Sequence, residues 1–328
     1  MSREVENILR KQLGIEKVTD IQKIQSLWSG YGELSRYRTD NELFRSLIVK
    51  HIKLSGTTRH PRGWNSDISH QRKLKSYEVE INWYKNYRDL CPDECYVPKC
   101  LYVDGGEDEI ILILEDLSAA GYPDTVHYAD DNVIFSVLKW LAEFHANFLQ
   151  IKPHGLWEEG TYWHLATRPD EYEKLTDKTL KEAAHKLSER LKSCRYQTIV
   201  HGDAKLANFC FSADRRKVAA VDFQYTGAGC GMKDVAYFFS SCLSEEECEE
   251  REGELLDFYF TELRLALEKT EKSITFDKLE KEWREMYSIA WADFLRFLLG
   301  WCPDHWKIHP YSMKLTETAI KQLQEELN

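Results

Sequence analysis

Residues 201–211 read HGDAKLANFCF, and they set His201, Gly202, Asp203, Lys205 and Asn208 within eight positions of one another. Apolar residues bracket the group, Ile199 and Val200 before it and Phe209 to Phe211 after it. Turns are rich in Asp, Asn and Gly, so each residue taken singly reads as a turn or cap residue. The order carries more information, because His-Gly-Asp with Asn five places on arises by chance roughly once in a thousand chains this size. Fourteen residues past Asn208, the apolar run VAAV delivers Asp222. Phosphoryl transfer from ATP asks for a carboxylate to take the acceptor's proton and for oxygen ligands to a hard cation. Asp203 supplies the first; Asn208 and Asp222, a short hairpin apart, supply the second and converge on one magnesium ion.

The 328 residues are long enough for one large domain or two lobes, and 43% hydrophobic with 30% charged residues is a globular balance. A formal net charge of −11 argues against nucleic acid as the main partner, since phosphate binding needs a basic face. The start, MSREVENILRKQL, reads as a charged helix and not a signal peptide, and no apolar run approaches the length of a membrane span. Nine cysteines fit neither a disulfide framework nor paired zinc ligands. Cys91, Cys95 and Cys100 cluster without a histidine at finger spacing, so free thiols in a reducing cytoplasm are expected.

Residues 23–39 and 43–54 read as strands around a Gly-containing turn, residues 56–70 as a mobile loop, and residues 72–90 as a helix ending before Pro92. VPKCLYVD and EIILILEDL then read as a strand pair across GGED. From Ala119 the character changes: Val133, Ile134, Val137, Leu138, Leu141, Phe144 and Phe148 recur at helical spacing. The span 170–195 reads as helix, short strand-like pieces carry the polar constellation, and 246–272 and 276–328 return to helix. The expectation is an α+β chain of two lobes, a small β-rich one over 1–115 and a larger, mainly helical one over 116–328.

HGDAKLANFCF followed by VAAVDFQYTG resembles the catalytic and metal-binding segments of the aminoglycoside phosphotransferase and choline kinase superfamily. Its DFQ is most similar to the branch of ecdysteroid kinase-like proteins. The likeness extends to LAEFHA at 141–146 and to LILEDLS at 112–118, which resembles the family's interlobe hinge. It implies a bilobal protein-kinase-like fold using ATP and Mg²⁺, with Asp203 as catalytic base and Asn208 and Asp222 as magnesium ligands. Lys205 would stabilise the transferred phosphate, His201 would brace the loop by packing, and Asp234 would hold its backbone or cap the following helix. SGYGELSRY is similar to a kinase nucleotide loop, in which Gly30 and Gly32 let backbone amides approach phosphate. The backbone at Glu115 and Leu117 would read the adenine.

Lys50 sits inside the apolar strand SLIVKHI, a poor place for an unpaired ammonium, so an acidic partner is expected. The next helix offers Glu78 and Glu80; resemblance to the family's acid followed by an aromatic favours Glu80, with Trp83 and Tyr84 behind it, and Glu78 stays in reserve. A protein kinase fits less well. Gly202 stands where those enzymes carry arginine, and about a dozen residues between Asp222 and Asp234 leave no room for an activation segment. Gln224 in place of the DFG glycine restricts the backbone, so Asp222 should be held rather than flipped.

The reading is therefore a small-molecule kinase acting on a hydroxyl group. The alternative is a catalytically inactive kinase-fold protein that binds nucleotide or partners. Trp291, Phe294, Trp301 and Trp306, with Asp293 and Asp304 among them, offer an aromatic and acidic patch, but Trp291, Phe294, Leu298 and Trp301 lie at core spacing. A choline- or ethanolamine-like amine, a sugar and a sterol all stand as acceptors.

Overall fold

The computed structural model describes residues 2–27, 30–54, 67–106 and 109–325. Five antiparallel strands form one sheet in the order β1-β2-β3-β5-β4: β1 (Val18–Ser26), β2 (Gly32–Thr39), β3 (Ser46–Lys53), β4 (Cys100–Gly105) and β5 (Glu109–Glu115). Alternation along β3 and β5 divides the buried residues between the two faces. Leu47, Val49, Ile111 and Ile113 pack under helix α1 (Arg3–Leu13), through its Val5, Ile8 and Leu9. Ile52, Ile110, Leu112 and Leu114 face the other way, toward helix α2 (Asp67–Asn86) and its Tyr77, Val79, Trp83 and Tyr84. Lys50 pairs across the sheet with Leu112, so its side chain shares this second face. Residues 56–66 of the expected loop, and residues 107 and 108 of the β4–β5 turn, lie outside the described residues. From Asp67 onward the chain is already helical.

Past Glu115 helices dominate: α3 (Asp131–Phe148), α4 (Pro169–Lys174), α5 (Lys178–Ser193), α6 (Met232–Cys242), α7 (Glu245–Glu268), α8 (Phe276–Trp301) and α9 (Pro310–Glu325). The amphipathic run expected from 132 is α3, capped by Asp130, whose carboxylate accepts from the Val133 amide at 3.0 Å. Two expected helices are each divided. The 170–195 span breaks at Leu175, and Asp177 then caps α5 by accepting the Leu180 amide at 2.9 Å. The 276–328 span breaks after Trp301, where the chain turns through Pro303 before α9 begins. Among the described residues no helix is long and apolar enough to cross a membrane.

Two small antiparallel ribbons position the polar constellation between these layers. One pairs β6 (Thr198–Val200) with β9 (Gly227–Gly229); the other pairs β7 (Phe209–Phe211) with β8 (Val218–Ala220). The 201–208 loop leaves β6 and enters β7, while residues 221–226 leave β8 and enter β9. Both loops therefore emerge side by side. The strand β9, with the sequence GAG, was not foreseen, because glycines in a strand carry a turn signal and no apolar alternation.

Candidate active site

The 201–208 loop is fixed from behind. The Asp234 carboxylate, in the first turn of α6, accepts the His201 amide at 2.6 Å and the Gly202 amide at 2.9 Å. His145 on α3 lies 3.1 Å from the same carboxylate through Nε2, and its Nδ1 is 2.8 Å from the Tyr259 hydroxyl. His201 is fully buried; its Nε2 donates to the Val221 carbonyl at 3.0 Å and its Nδ1 accepts the Asp203 amide at 3.2 Å. Those two bonds define one neutral tautomer, and burial lowers the imidazole's pKa in the same direction. His201 thus ties the two loops together.

Gly202 has φ +81°, and a Cβ there would lie 2.0 Å from the Tyr225 carbonyl oxygen. No side chain fits that gap without moving backbone, so an arginine has no place at 202.

In front of this scaffold, Asp203 and Asp222 face the cleft. Lys205 donates to Asp203 Oδ2 at 2.9 Å, and Asn208 Nδ2 donates to the same oxygen at 3.0 Å and to the Asp203 carbonyl at 2.8 Å. The Asn208 amide is thereby oriented, and its Oδ1 accepts no hydrogen bond among the described residues. Among the described residues, Asp203 Oδ1 and Asp222 Oδ1 are buried and accept no hydrogen bond within 3.5 Å, although the Tyr237 hydroxyl lies near the first and Lys50 Nζ 3.8 Å from the second. Buried anionic oxygens without donors are costly unless a cation meets them, so this donor set fits a hard divalent ion. Asp222 sits at φ +71°, a left-handed conformation that non-glycine residues adopt uncommonly and that occurs where geometry is functional.

Lys50 Nζ donates to both oxygens of Glu80, at 2.8 and 2.7 Å, and lies 3.8 Å from Asp222 Oδ1. Glu78 instead pairs with Lys75 at the surface, 3.2 Å away. Burial favours neutral Lys50, but Glu80 and Asp222 outweigh it and keep the ammonium charged. Burial likewise works against ionised Asp222, and Lys50, Lys205 and Lys73 overcome it, holding its pKa below the ordinary aspartate range.

The DFQ segment is anchored to α2. Phe223 stacks on Trp83 with ring centroids 4.3 Å apart. Gln224 Oε1 accepts from Lys73 at 2.8 Å and from Ser76 at 3.2 Å, and its carbonyl accepts the Trp157 indole N–H at 2.8 Å. Three donors on one residue hold the segment that carries Asp222. Lys73 is a residue that sequence reasoning missed; burial pulls its ammonium down to about 8, opposed by Asp222.

A cleft of about 1540 Å³ opens between sheet and helices, and Lys50, Glu80, Asp203, Lys205, Asn208 and Asp222 all line it. One wall is apolar and built on the strand end: Leu34, Ile48, Leu114, Leu117 and Val221. Here the Glu115 amide is taken by the Lys99 carbonyl at 2.9 Å, and the Glu115 side chain by Tyr96 at 2.9 Å. The Leu117 carbonyl accepts the Tyr122 amide at 2.8 Å, whereas its own N–H makes no bond among the described residues. Gly30 and Gly32 do not line the cleft, although their neighbours Leu27 and Tyr31 do. Gly32 serves the sheet, since a Cβ at φ +149° would sit 2.0 Å from the His51 carbonyl oxygen. Residues 28 and 29 of this turn lie outside the described residues.

The second wall comes from remote segments with no motif: Tyr162 and Arg168 from the irregular stretch before α4, Tyr237 from α6, Phe294 and Phe297 from α8, and Lys307 from the α8–α9 turn. Trp291 is core, Phe294 and Trp301 line the cleft, and Trp306, 61% exposed, is not part of its lining, so the C-terminal aromatics divide between core, cleft and surface. Asp293 is fully buried and already paired, with Arg296 at 2.8 Å and the Trp163 indole N–H at 3.1 Å. It cannot face a ligand.

This arrangement is the kinase-like fold shared by small-molecule phosphotransferases. A choline kinase from Cryptosporidium parvum Iowa II superimposes with TM-score 0.55 at 15% identity, covering 99% of this chain and 95% of that one. The GDP complex of aminoglycoside 2'-phosphotransferase-IIIa gives TM-score 0.50 at 10% identity, over 97% and 98% of the two chains. The chain belongs to the ecdysteroid kinase-like family, whose profile matches residues 45–156 and 157–272. No curated protein sequence matches it.

Proposed function

We propose that this protein transfers the γ-phosphate of ATP to a hydroxyl group on a small molecule, in a cleft between a nucleotide lobe (1–115) and a catalytic and acceptor lobe (116–328). The observation that carries the reading is one cleft lined by Asp203 and Asp222, each with a buried carboxylate oxygen that accepts no hydrogen bond within 3.5 Å among the described residues, beside a fixed Asn208 amide and a Lys50–Glu80 pair.

In this reading Asn208 and Asp222 would hold magnesium, which would supply charge neutralisation at the phosphates. Lys50, oriented by Glu80, contacts the phosphates. Asp203 Oδ1 accepts the hydroxyl proton while Lys205 and Asn208 hold Oδ2, so the carboxylate is aimed before the acceptor arrives. Lys205 also lies where it can meet the transferred group. The adenine occupies the wall of Ile48, Leu114 and Val221, with the Leu117 N–H as a donor to it. A cytoplasmic location, suited to nine free cysteines, goes with this reading.

The test is ADP release from Mg·ATP across hydroxylated amines, sugars, sterols and hydroxy acids. Turnover that depends on one acceptor class is the expected result. Nucleotide binding without turnover on any class would favour the inactive, interaction-protein reading.

A further inference from the structure

The second wall of the cleft holds aromatic rings at the spacing that would enclose an ammonium, yet the chain's own cations already occupy them. Lys307 Nζ lies 4.7 Å from the Tyr237 ring centroid and 5.4 Å from that of Phe294. The Arg168 guanidinium lies 5.0 Å from Phe297 and 5.7 Å from Tyr162. A cationic acceptor would therefore meet like charge where it should find ring faces.

Lys307 is 8% exposed, and its single polar contact among the described residues is to Ser240 Oγ at 3.2 Å. An ammonium has three donors, so two are unspent in a buried site. Arg72, on the same cleft, donates to the Thr167 carbonyl at 2.7 Å and to Ser69 Oγ at 3.2 Å; among the described residues no carboxylate lies within ion-pair distance of it, although Glu171 and Asp170 are near enough to attract it. Arg168 is balanced by Glu171 at 3.3 Å. Of the carboxylates that line the cleft, Glu80, Asp203 and Asp222 belong to the phosphoryl-transfer end and Glu115 and Asp116 to the strand end. The second wall thus carries excess positive charge. Burial also drags the Lys307 ammonium down to about 8, partly offset by the nearby Asp203, so an arriving anion would favour its charged form.

We propose that the acceptor carries an oxyanion (a carboxylate, sulfate or phosphate) in addition to its reacting hydroxyl, and that Lys307, with Arg72 beside the same cleft, receives it. The inference rests on the kinase reading above and adds the acceptor's chemical class. Charge-assisted hydrogen bonds from a desolvated ammonium supply the selectivity, and the aromatic rings supply a face for the acceptor's body.

Three probes of matched size test it by calorimetric titration into the protein saturated with a non-hydrolysable ATP analogue and Mg²⁺: para-hydroxymethylbenzoate, benzene-para-dimethanol and para-hydroxymethylbenzyl trimethylammonium. The expected order is the carboxylate tighter than the diol by about tenfold or more, with the trimethylammonium weakest. Lys307→Met should bring carboxylate and diol to equal affinity, Lys307→Arg should retain the preference, and Arg72→Gln, at a less buried position, should reduce it. Equal binding of the three, no binding of any, or a preference for the trimethylammonium overturns the proposal. Repeating the series with sulfate and phosphate esters of the diol separates the oxyanions. Wild-type protein that fails to bind the nucleotide analogue at all would instead overturn the kinase reading.

Discussion

Asp203→Asn is expected to lower turnover by about 10²–10⁴-fold, the usual contribution of a positioned general base, with little change in melting temperature or nucleotide affinity. The substitution is close to isosteric, and an amide oxygen can still accept the Lys205 and Asn208 donors that now meet Oδ2 at 2.9 and 3.0 Å. What it removes is the negative charge on Oδ1, a buried oxygen that accepts no hydrogen bond within 3.5 Å among the described residues, with the Tyr237 hydroxyl nearby. ADP release on the best acceptor, read beside a thermal melt and a nucleotide titration, separates chemistry from folding and binding. A variant that turned over like wild type would move the base elsewhere.

The second large effect is on stability. Gly202→Ala should cost about 3 kcal/mol or more, for two reasons that add. An alanine at φ +81° is strained in itself, and its Cβ would sit 2.0 Å from the Tyr225 carbonyl oxygen, with the Thr161 amide nitrogen at 2.9 Å. Neither neighbour is a flexible side-chain end. Gly14→Ala isolates the first term, since Gly14 has φ +64° and nothing within 4 Å of the added Cβ. Denaturant midpoints should therefore fall slightly for Gly14→Ala and far more for Gly202→Ala. Equal midpoints for the two variants would contradict the close approach between the 201–208 loop and residue 225.

That contrast also shows what could be read from the chain alone. That Asp203, Asn208 and Asp222 line one cleft was legible because short spacing puts them on neighbouring turns. Lys50 was legible because an ammonium in an apolar strand demands an acid, and the structure pairs it with Glu80 while Glu78 faces Lys75 at the surface. Lys73 and Gln224 were harder: their hydrogen bond spans 151 positions, and nothing local in either segment announces it. The second wall was hardest. Tyr162, Arg168 and Lys307 lie in irregular stretches between helices, where neither period nor motif gives a signal, and they meet only because α6 and α8 pack together. The helix breaks at 175 and 302 were missed because apolar periodicity resumes on both sides, although Asp177 and Pro303 mark them in retrospect.

The energetic design follows from the same placement. The catalytic loop is held from the buried side by Asp234 and His201 and stays open toward the cleft. Asp222 is held by its neighbours: Phe223 stacks on Trp83, and Gln224 is bonded to α2 through Lys73 and Ser76. Helix α2 therefore positions both the Glu80 partner of Lys50 and the segment carrying Asp222. Any shift of that helix would disturb the Lys50–Glu80 pair and the Asp222 segment together.

The central claim is that this cleft binds Mg·ATP through Asp222. The most direct measurement is calorimetric titration of the wild-type chain with a non-hydrolysable ATP analogue, with and without magnesium, beside Asp222→Ala and Asp222→Asn. The second variant keeps a residue tolerant of the left-handed backbone at φ +71°, so charge loss is separated from strain. The account predicts binding that magnesium strengthens by tenfold or more, on the order of 1.4 kcal/mol, and that both variants lose. Folded wild-type protein that binds no nucleotide, or binds it equally well without magnesium and without Asp222, would contradict it.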